Sequence, residues 1–334
     1  MILERVGVGE SERPFPVYED LVDRLLAAHA AGPGERNATA AHVLGILSTY
    51  AFSDATTVAT MMARLGFGGG ACVRLEQTVD AMFVFSTAFL VQSRCGRVVL
   101  LGYRGTEPTN LANWLGDADV GPEPMTLGTA NLSVHSGFVR NFRATRLSVL
   151  AELERASAGR SLLDPERAVE HPLEALYVTG HSLGGVMATL FGLAITHAGD
   201  AGTDAIAARL RAIYTFAQPM TIGGPVPGSA EQLGHRIFRH VLVRDPIPTL
   251  PAASWGRFVH LGREYGWRDG EWQPSSPDVA QARSALDFLP SILAFFWSAR
   301  RRATARYALA EHAPHYYLAA LRPKGRITEV GDPG

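Results

Sequence analysis

"YVTGHSLGGVMATLFGLAITH", residues 177–197, decides the fold. With the preceding "EALYV" it reads as an apolar run suited to a buried strand. A segment follows whose Val186, Met187, Leu190, Phe191, Ala194 and Ile195 fall on one helical face. Between them, Gly180-His181-Ser182-Leu183-Gly184 fits G-x-S-x-G, a pattern that needs a strand before it and a helix after it. Glycines on either side remove side chains that would clash, so the serine can take a strained backbone conformation with its hydroxyl outward. The backbone N–H of Leu183 and the helix dipole then point to where a carbonyl oxygen would gain negative charge. The competing reading is a glycine-rich turn with an N-cap serine. A serine hydroxyl alone is a poor nucleophile, so the presence of a base and an acid downstream discriminates between the two.

Outward from this stretch, "VYEDLVDRLLAAHAA" and "ATAAHVLGILSTYAFSDATTVATMMARLGF" carry apolar residues at helical spacing and predict amphipathic helices broken near Ser53 and Asp54. "AMFVFSTAFLVQS" and "RVVLLGYRG" predict strands. Beyond them strand-like runs ("ALYVTG", "RAIYTFAQP", "RIFRHVLVRD") alternate with helix-like ones, the pattern of an α/β fold. Its central sheet is mostly parallel, with helices on both faces. Residues 1–16, rich in Pro, Gly and charge, are expected to be a flexible arm, and 17–334 a single domain. "GWRDGEWQPSSPDVAQA" is expected to be a surface excursion, and the segment after it helices broken by prolines, none of it a separate domain.

In folds with this elbow the partners follow in the order Ser, Asp or Glu, His. Asp245, in "HVLVRDPIPTLP", comes directly after an apolar run at the expected active edge of the sheet. A carboxylate there can accept an imidazole N–H and fix its tautomer, although an Asp-Pro pair also starts turns. Three histidines lie downstream. His260, in the strand-like "RFVHLGREY", reads as structural. His312 and His315, in "EHAPHYYLAAL", remain candidates for the base, with His312 preferred for its place at a loop-to-helix transition.

Composition excludes several classes. Of 334 residues 47% are hydrophobic and 19% charged, ordinary for a globular protein with a sizeable core. Against 32 Asp+Glu stand 31 Lys+Arg, so no overall field recruits nucleic acid or anionic lipid. Lys324 is the only lysine, and the arginine bias carries no functional weight. The two cysteines, Cys72 and Cys95, are too few for a disulfide scaffold; two buried thiols are expected, with one bridge possible. No metal-ligand spacing appears, "GFGGGAC" lacks the ending of a phosphate loop, and no cofactor is expected. The first 20 residues lack a secretory pattern, and no apolar run is long enough to span a bilayer, so a cytoplasmic location is expected. "FLPSILAFFWSARRR", within 287–302, suits burial in a core or dimer better than peripheral membrane contact, which stays a second option. Oligomeric state is not legible.

Taken together, the motifs resemble the class 3 lipase family, which includes the fungal triacylglycerol lipases, over roughly residues 44–321. "LSTYAFSD" is similar to an early helix of that family, and "LGYRGTEPTNLANWLGDAD" to its R-G-[ST] strand end and tryptophan-bearing lid. "VHSGF", "VTGHSLGG", "YTFAQP", "VRDPIPTLP" and "FVHLGREY" follow in the family's order. The resemblance implies an α/β-hydrolase fold with Ser182 as nucleophile, Asp245 as orienting acid and His312 as base. The spacing from His312 to Tyr317 is similar to the family's terminal motif. It further implies an oxyanion hole from Thr106 and Leu183, a lid bearing Leu111 and Trp114, and an acidic partner, Asp117, for the Thr106 hydroxyl. Ordinary packing is an equal reading for Trp114. The implied activity is hydrolysis of lipid acyl esters through an acyl-enzyme, with a phospholipase, an acyltransferase or a silent lipid-binding module as alternatives. Two departures stand out. Ala217 occupies a position commonly glycine in the family, which reads as a small change. Secreted members carry signals and often disulfides, so their extracellular role is not expected to transfer.

Overall fold

Strands buried at almost every position form the middle of the molecule. In a computed structural model, residues 1–82, 84–105, 122–127, 130–224, 226, 228–275, 279–283 and 308–332 are described. Their central sheet has nine strands. From one edge these are β1 (Ile2–Gly7), β2 (Ala71–Val79), β3 (Val84–Gln92), β4 (Val98–Tyr103) and β7 (Ala175–His181), followed by β8 (Leu210–Phe216), β10 (Ile237–Val241), β12 (Arg263–Arg268) and β13 (Glu271–Pro274). The five strands from β4 to β12 are parallel to one another, and antiparallel pairs flank them on both sides. A four-stranded sheet, β11 (Phe258–Val259), β9 (Ile222–Gly223), β6 (Ala130–His135) and β5 (Pro122–Leu127), stands beside it.

Period-two alternation within the buried strands feeds two cores. Tyr177, Tyr214, Phe216 and Phe238 face α1 (Leu21–Ala27), α2 (Ala38–Tyr50), α3 (Ala55–Met62) and the C-terminal α8 (Pro314–Leu321). Leu176, Val178, Ile213 and Ile237 face α4 (Ser136–Ser157), α5 (Leu183–Thr196), α6 (Ala201–Ala207) and α7 (Gly228–Gly234). Strands buried on both faces read as continuous apolar runs, which is why β4 and β7 were visible in the sequence. The expected break near Ser53 and Asp54 is there: Asp54 caps α3 through a 2.8 Å bond from the Thr57 N–H. This is the α/β-hydrolase architecture, with the loops at the carboxyl ends of the parallel strands gathered on one edge.

Two sequence expectations are corrected. Residues 1–16 do not form a free arm, because Ile2–Gly7 pairs along its length with β2. The Arg5 guanidinium also grips the Glu152 carboxylate of α4 at 2.8 and 2.6 Å. Pro, Gly and charge counts describe local preference, whereas this strand is held by a ladder to residues some seventy positions away. The supposed excursion near Gly266 is in part the β12–β13 hairpin. Asp269 and Gly270, at φ 52° and 77°, make its two-residue turn, and Trp267 packs across it against Trp272, ring centroids 5.3 Å apart. Both cysteines are free, Cys72 buried with its thiol pushed up to about 12 by burial, and Cys95 half-buried.

Several histidines are packed as neutral rings. Burial pushes His42 down to about 4 and holds His181, His240 and His260 well below the usual imidazole range. In the unfolded chain the same groups take protons below about pH 6.5, so the unfolded state binds more protons there and stability must fall with pH. We expect denaturant midpoints to drop from about pH 6.5 towards pH 4, at up to ~1.4 kcal/mol per pH unit for each such histidine. Midpoints unchanged between pH 7 and 5 would contradict this.

Candidate active site

Ser182 sits between β7 and α5 at φ 57° and ψ −126°, a left-handed conformation for a residue with a side chain. Close approach makes its flanking glycines necessary. A Cβ on Gly180 would lie 2.1 Å from the Gly184 carbonyl carbon, and one on Gly184 would lie 2.2 Å from the Tyr103 oxygen at the end of β4. The turn is fixed by the Ser182 N–H donating to Phe216 O at 2.9 Å. Although Ser182 occupies the N-cap position of α5, its side chain makes no capping bond. Its Oγ lies instead 3.0 Å from His312 Nε2. That distinguishes a presented hydroxyl from a capping one.

The carboxylate comes from the loop after β10. Asp245 Oδ1 accepts the Ile247 N–H at 2.9 Å, so the residue does start the Asp-Pro turn. The same side chain reaches His312 Nδ1, at 3.0 Å from Oδ2 and 3.2 Å from Oδ1. Turn formation and imidazole orientation are one arrangement here. Tyr317, on the buried face of α8, donates its hydroxyl to Asp245 Oδ2 at 2.6 Å and accepts the Leu242 N–H at 3.1 Å. Burial, and then the adjacent Asp245 charge, hold that phenol well above its usual range, so it stays a donor.

His312 ends a 3₁₀ turn, Leu309–His312. The chain is docked there by the Ala308 N–H on Arg244 O at 2.8 Å and by the Arg244–Glu311 ion pair at 3.3 Å. Ser182, Asp245 and His312 are all buried. His181 lies against His312, ring centroids 4.7 Å apart. The arrangement has a hydroxyl, a base to take its proton and a carboxylate to orient that base, and it stands at a helix N-terminus where the Leu183 N–H has no acceptor within the helix. Among the described residues no group of three His, Cys, Asp or Glu is placed to hold a metal ion.

The structure therefore brings Ser182, Asp245 and His312 together, with Leu183 beside them. His315 is exposed and packs on Tyr316, away from the serine. His260 donates to or accepts nothing at the triad; its Nε2 meets Pro248 O at 2.9 Å, bracing the turn that carries Asp245. Thr106, Leu111, Trp114, Asp117 and the 287–302 segment lie outside the described residues. Sequence reasoning missed two groups, the Tyr317 phenol on Asp245 and the His181 ring on His312. A signal existed for the first, since Tyr317, Leu318 and Leu321 mark the inward face of α8. Ala217 also needs correction: it stands at φ 55°, so alanine in place of glycine is a strained substitution rather than a small one.

The class 3 lipase family matches residues 100–255. A lipase of Rhizomucor miehei is 26% identical over 63% of this chain and 51% of its own length. Secreted mono- and diacylglycerol lipase A of Penicillium cyclopium is 24% identical over 64% of this chain and 65% of its own. The chain thus spans about half to two thirds of these relatives. The solved lipase of Rhizopus microsporus var. chinensis superposes with a TM-score of 0.55 at 15% identity, over 91% of this chain and 93% of that one, which shows the shared fold. The expected cytoplasmic location is overturned by relatives named as secreted. It rested on two absences, of a secretory pattern in the first residues and of an apolar run long enough to span a bilayer, and neither assigns a location. Among the described residues no helix is long and apolar enough to cross a membrane.

Two substitutions probe this geometry. Tyr317→Phe removes a donor to a buried carboxylate and should cost about 1.5–3 kcal/mol in chemical denaturation. Hydrolysis of a soluble ester should fall with it, as Asp245 loosens its hold on His312. Ala217→Gly relieves a positive φ but removes a fully buried methyl and adds backbone freedom to the unfolded chain, so stability in chemical denaturation should change by less than about 1 kcal/mol.

Proposed function

We propose that this chain, a member of the class 3 lipase family, is a serine ester hydrolase that cleaves acyl esters of lipids. The observation that carries the reading is the continuous hydrogen-bonded path from Ser182 Oγ through His312 to Asp245, at a serine whose side chain caps nothing. His312 Nε2 takes the Ser182 proton as Oγ bonds to the ester carbonyl carbon. Nδ1–H of the same ring stays on Asp245, which fixes the tautomer and stabilises the imidazolium. The Leu183 N–H, joined by Thr106 through the family resemblance, receives the negative oxygen. His312 then gives its proton to the leaving alkoxide, and water, activated by the same ring, releases the acyl group from Ser182.

Acyl-lipid esters are preferred as substrates because relatives bear the names of lipases and of mono- and diacylglycerol lipases, and their naming as secreted makes an extracellular site of action part of the same reading. Leu111, Trp114 and Asp117, outside the described residues, enter this reading only through the family resemblance. Residues 17–334, together with β1 at the edge of the sheet, act as one catalytic unit in this proposal.

The test is direct. A fluorophosphonate probe should label the wild-type chain at Ser182, and Ser182→Ala should abolish both labelling and turnover on a panel of acylglycerol, phospholipid and short-chain esters. Hydrolysis retained by Ser182→Ala in purified protein sinks the assignment, and the preferred ester in the panel fixes the head group.

A further inference from the structure

His181 is a buried polar residue that the mechanism above does not use. It is the last residue of β7, at 2% exposure, and its ring points to the α2 and α8 side of the sheet. Neither of its nitrogens makes a hydrogen bond of normal geometry among the described residues. Phenylalanine would fill such a space without burying two polar atoms, so packing alone does not account for histidine there. The ring is instead framed on three sides. Phe52 meets it edge-on at 6.2 Å and 70°, and Tyr317 edge-on at 5.7 Å and 76°. Against the third side lies the ring of His312, 4.7 Å away and tilted by 43°. His312 is thereby bounded at Nδ1 by Asp245, at Nε2 by Ser182 and at close ring contact by His181.

We propose that His181 is a positioning residue for this reaction: its ring, packed against His312, stabilises the imidazolium that His312 becomes and keeps that ring aimed at Ser182 and Asp245. The proposal rests on the triad reading given above. The step it assists moves one proton from Ser182 Oγ to His312 Nε2 and returns it to the leaving alkoxide, and His181 itself exchanges none. An aromatic face attracts a cation, but only while the ring that bears it is uncharged. His181 meets that condition. Burial is the largest influence holding it neutral; the neighbouring His312 charge acts in the same direction, and the His312 carbonyl pulls weakly the other way.

The other charged or titratable groups around the pair are accounted for. Asp245 is bound to His312, and Tyr317 is a neutral donor to Asp245. Glu311, on the same turn as His312, is paired with Arg244 from the Asp245 loop. Arg104, the residue after β4, lies over the Phe52 ring at 6.0 Å. His181 is thus the ring whose removal changes what packs against the His312 imidazole.

The test reads His312 itself. Imidazole NMR titration of the full chain, with the His312 signal assigned by its loss in His312→Gln, gives its pKa with no need for turnover. In His181→Leu we expect that pKa to fall by roughly half a unit to one unit. The acid limb of kcat/KM should move by the same amount, kcat should drop about three- to tenfold, and KM should stay unchanged. His181→Phe, which keeps a flat ring, should fall between leucine and wild type. If the leucine variant does not fold, His181→Met carries the same expectation. A His312 titration unchanged in the folded leucine or methionine variant overturns the proposal, because a residue that merely packs would alter melting temperature and leave the titration in place. Loss of the hydrolase reading would show separately, as a wild-type chain inert to every ester, and the titration would still judge His181.

Discussion

Everything at the site follows from one backbone constraint, a residue with a side chain held at φ 57° where a buried strand turns into a buried helix. Such a conformation costs on the order of 1–3 kcal/mol and persists only where the surroundings over-determine it. Here they do. Both β7 and α5 are buried almost throughout, the Ser182 N–H is tied to the neighbouring strand β8, and the glycines at 180 and 184 let strand, helix and the end of β4 close to contact. The strain lifts the hydroxyl out of the helix-capping position it would otherwise occupy. A relaxed serine there would cap α5 and face away from the imidazole.

Around that point the fold collects groups from distant parts of the chain. Asp245 comes from the loop after β10 and His312 from a turn near the C-terminus, yet each is held twice. Asp245 is gripped through its own Asx turn and by Tyr317, while the His312 turn is docked by the Ala308–Arg244 bond and the Arg244–Glu311 pair. Redundant holding matters because a base and a nucleophile must stay within hydrogen-bond reach, about 2.6–3.2 Å, for a proton to pass. The same region stores a second strained residue, Ala217, at the end of β8 next to the elbow. Positive φ at both Ser182 and Ala217 marks the carboxyl edge of the parallel strands as the place where local preference yields to assembly.

Much of this was legible before any coordinates, and the failures have a common cause. Strands β4 and β7 announced themselves as continuous apolar runs, and the α2–α3 break as an Asp cap. β1 was lost because it is short and exposed, with its hydrogen bonds going to a partner far along the sequence. β12–β13 was lost because charged and aromatic residues hid the Asp-Gly turn that joins its strands. Alanine at 217 looked harmless because a side-chain comparison carries no information on φ.

Order and type of residues by themselves determined that a serine stands between a strand and a helix, that an aspartate and a histidine follow it, and that the sheet is mostly parallel with helices on both faces. These are consequences of period and steric bulk, which act over a few neighbouring residues. Only the tertiary structure decided that His312 rather than His315 meets the serine, that Tyr317 completes the surroundings of Asp245, and that the His181 ring packs against the imidazole. Those outcomes depend on which face of α8 packs against α2 and how the C-terminal turn docks on the β10 loop. Both are set by contacts between segments tens to hundreds of residues apart, and no local pattern encodes them.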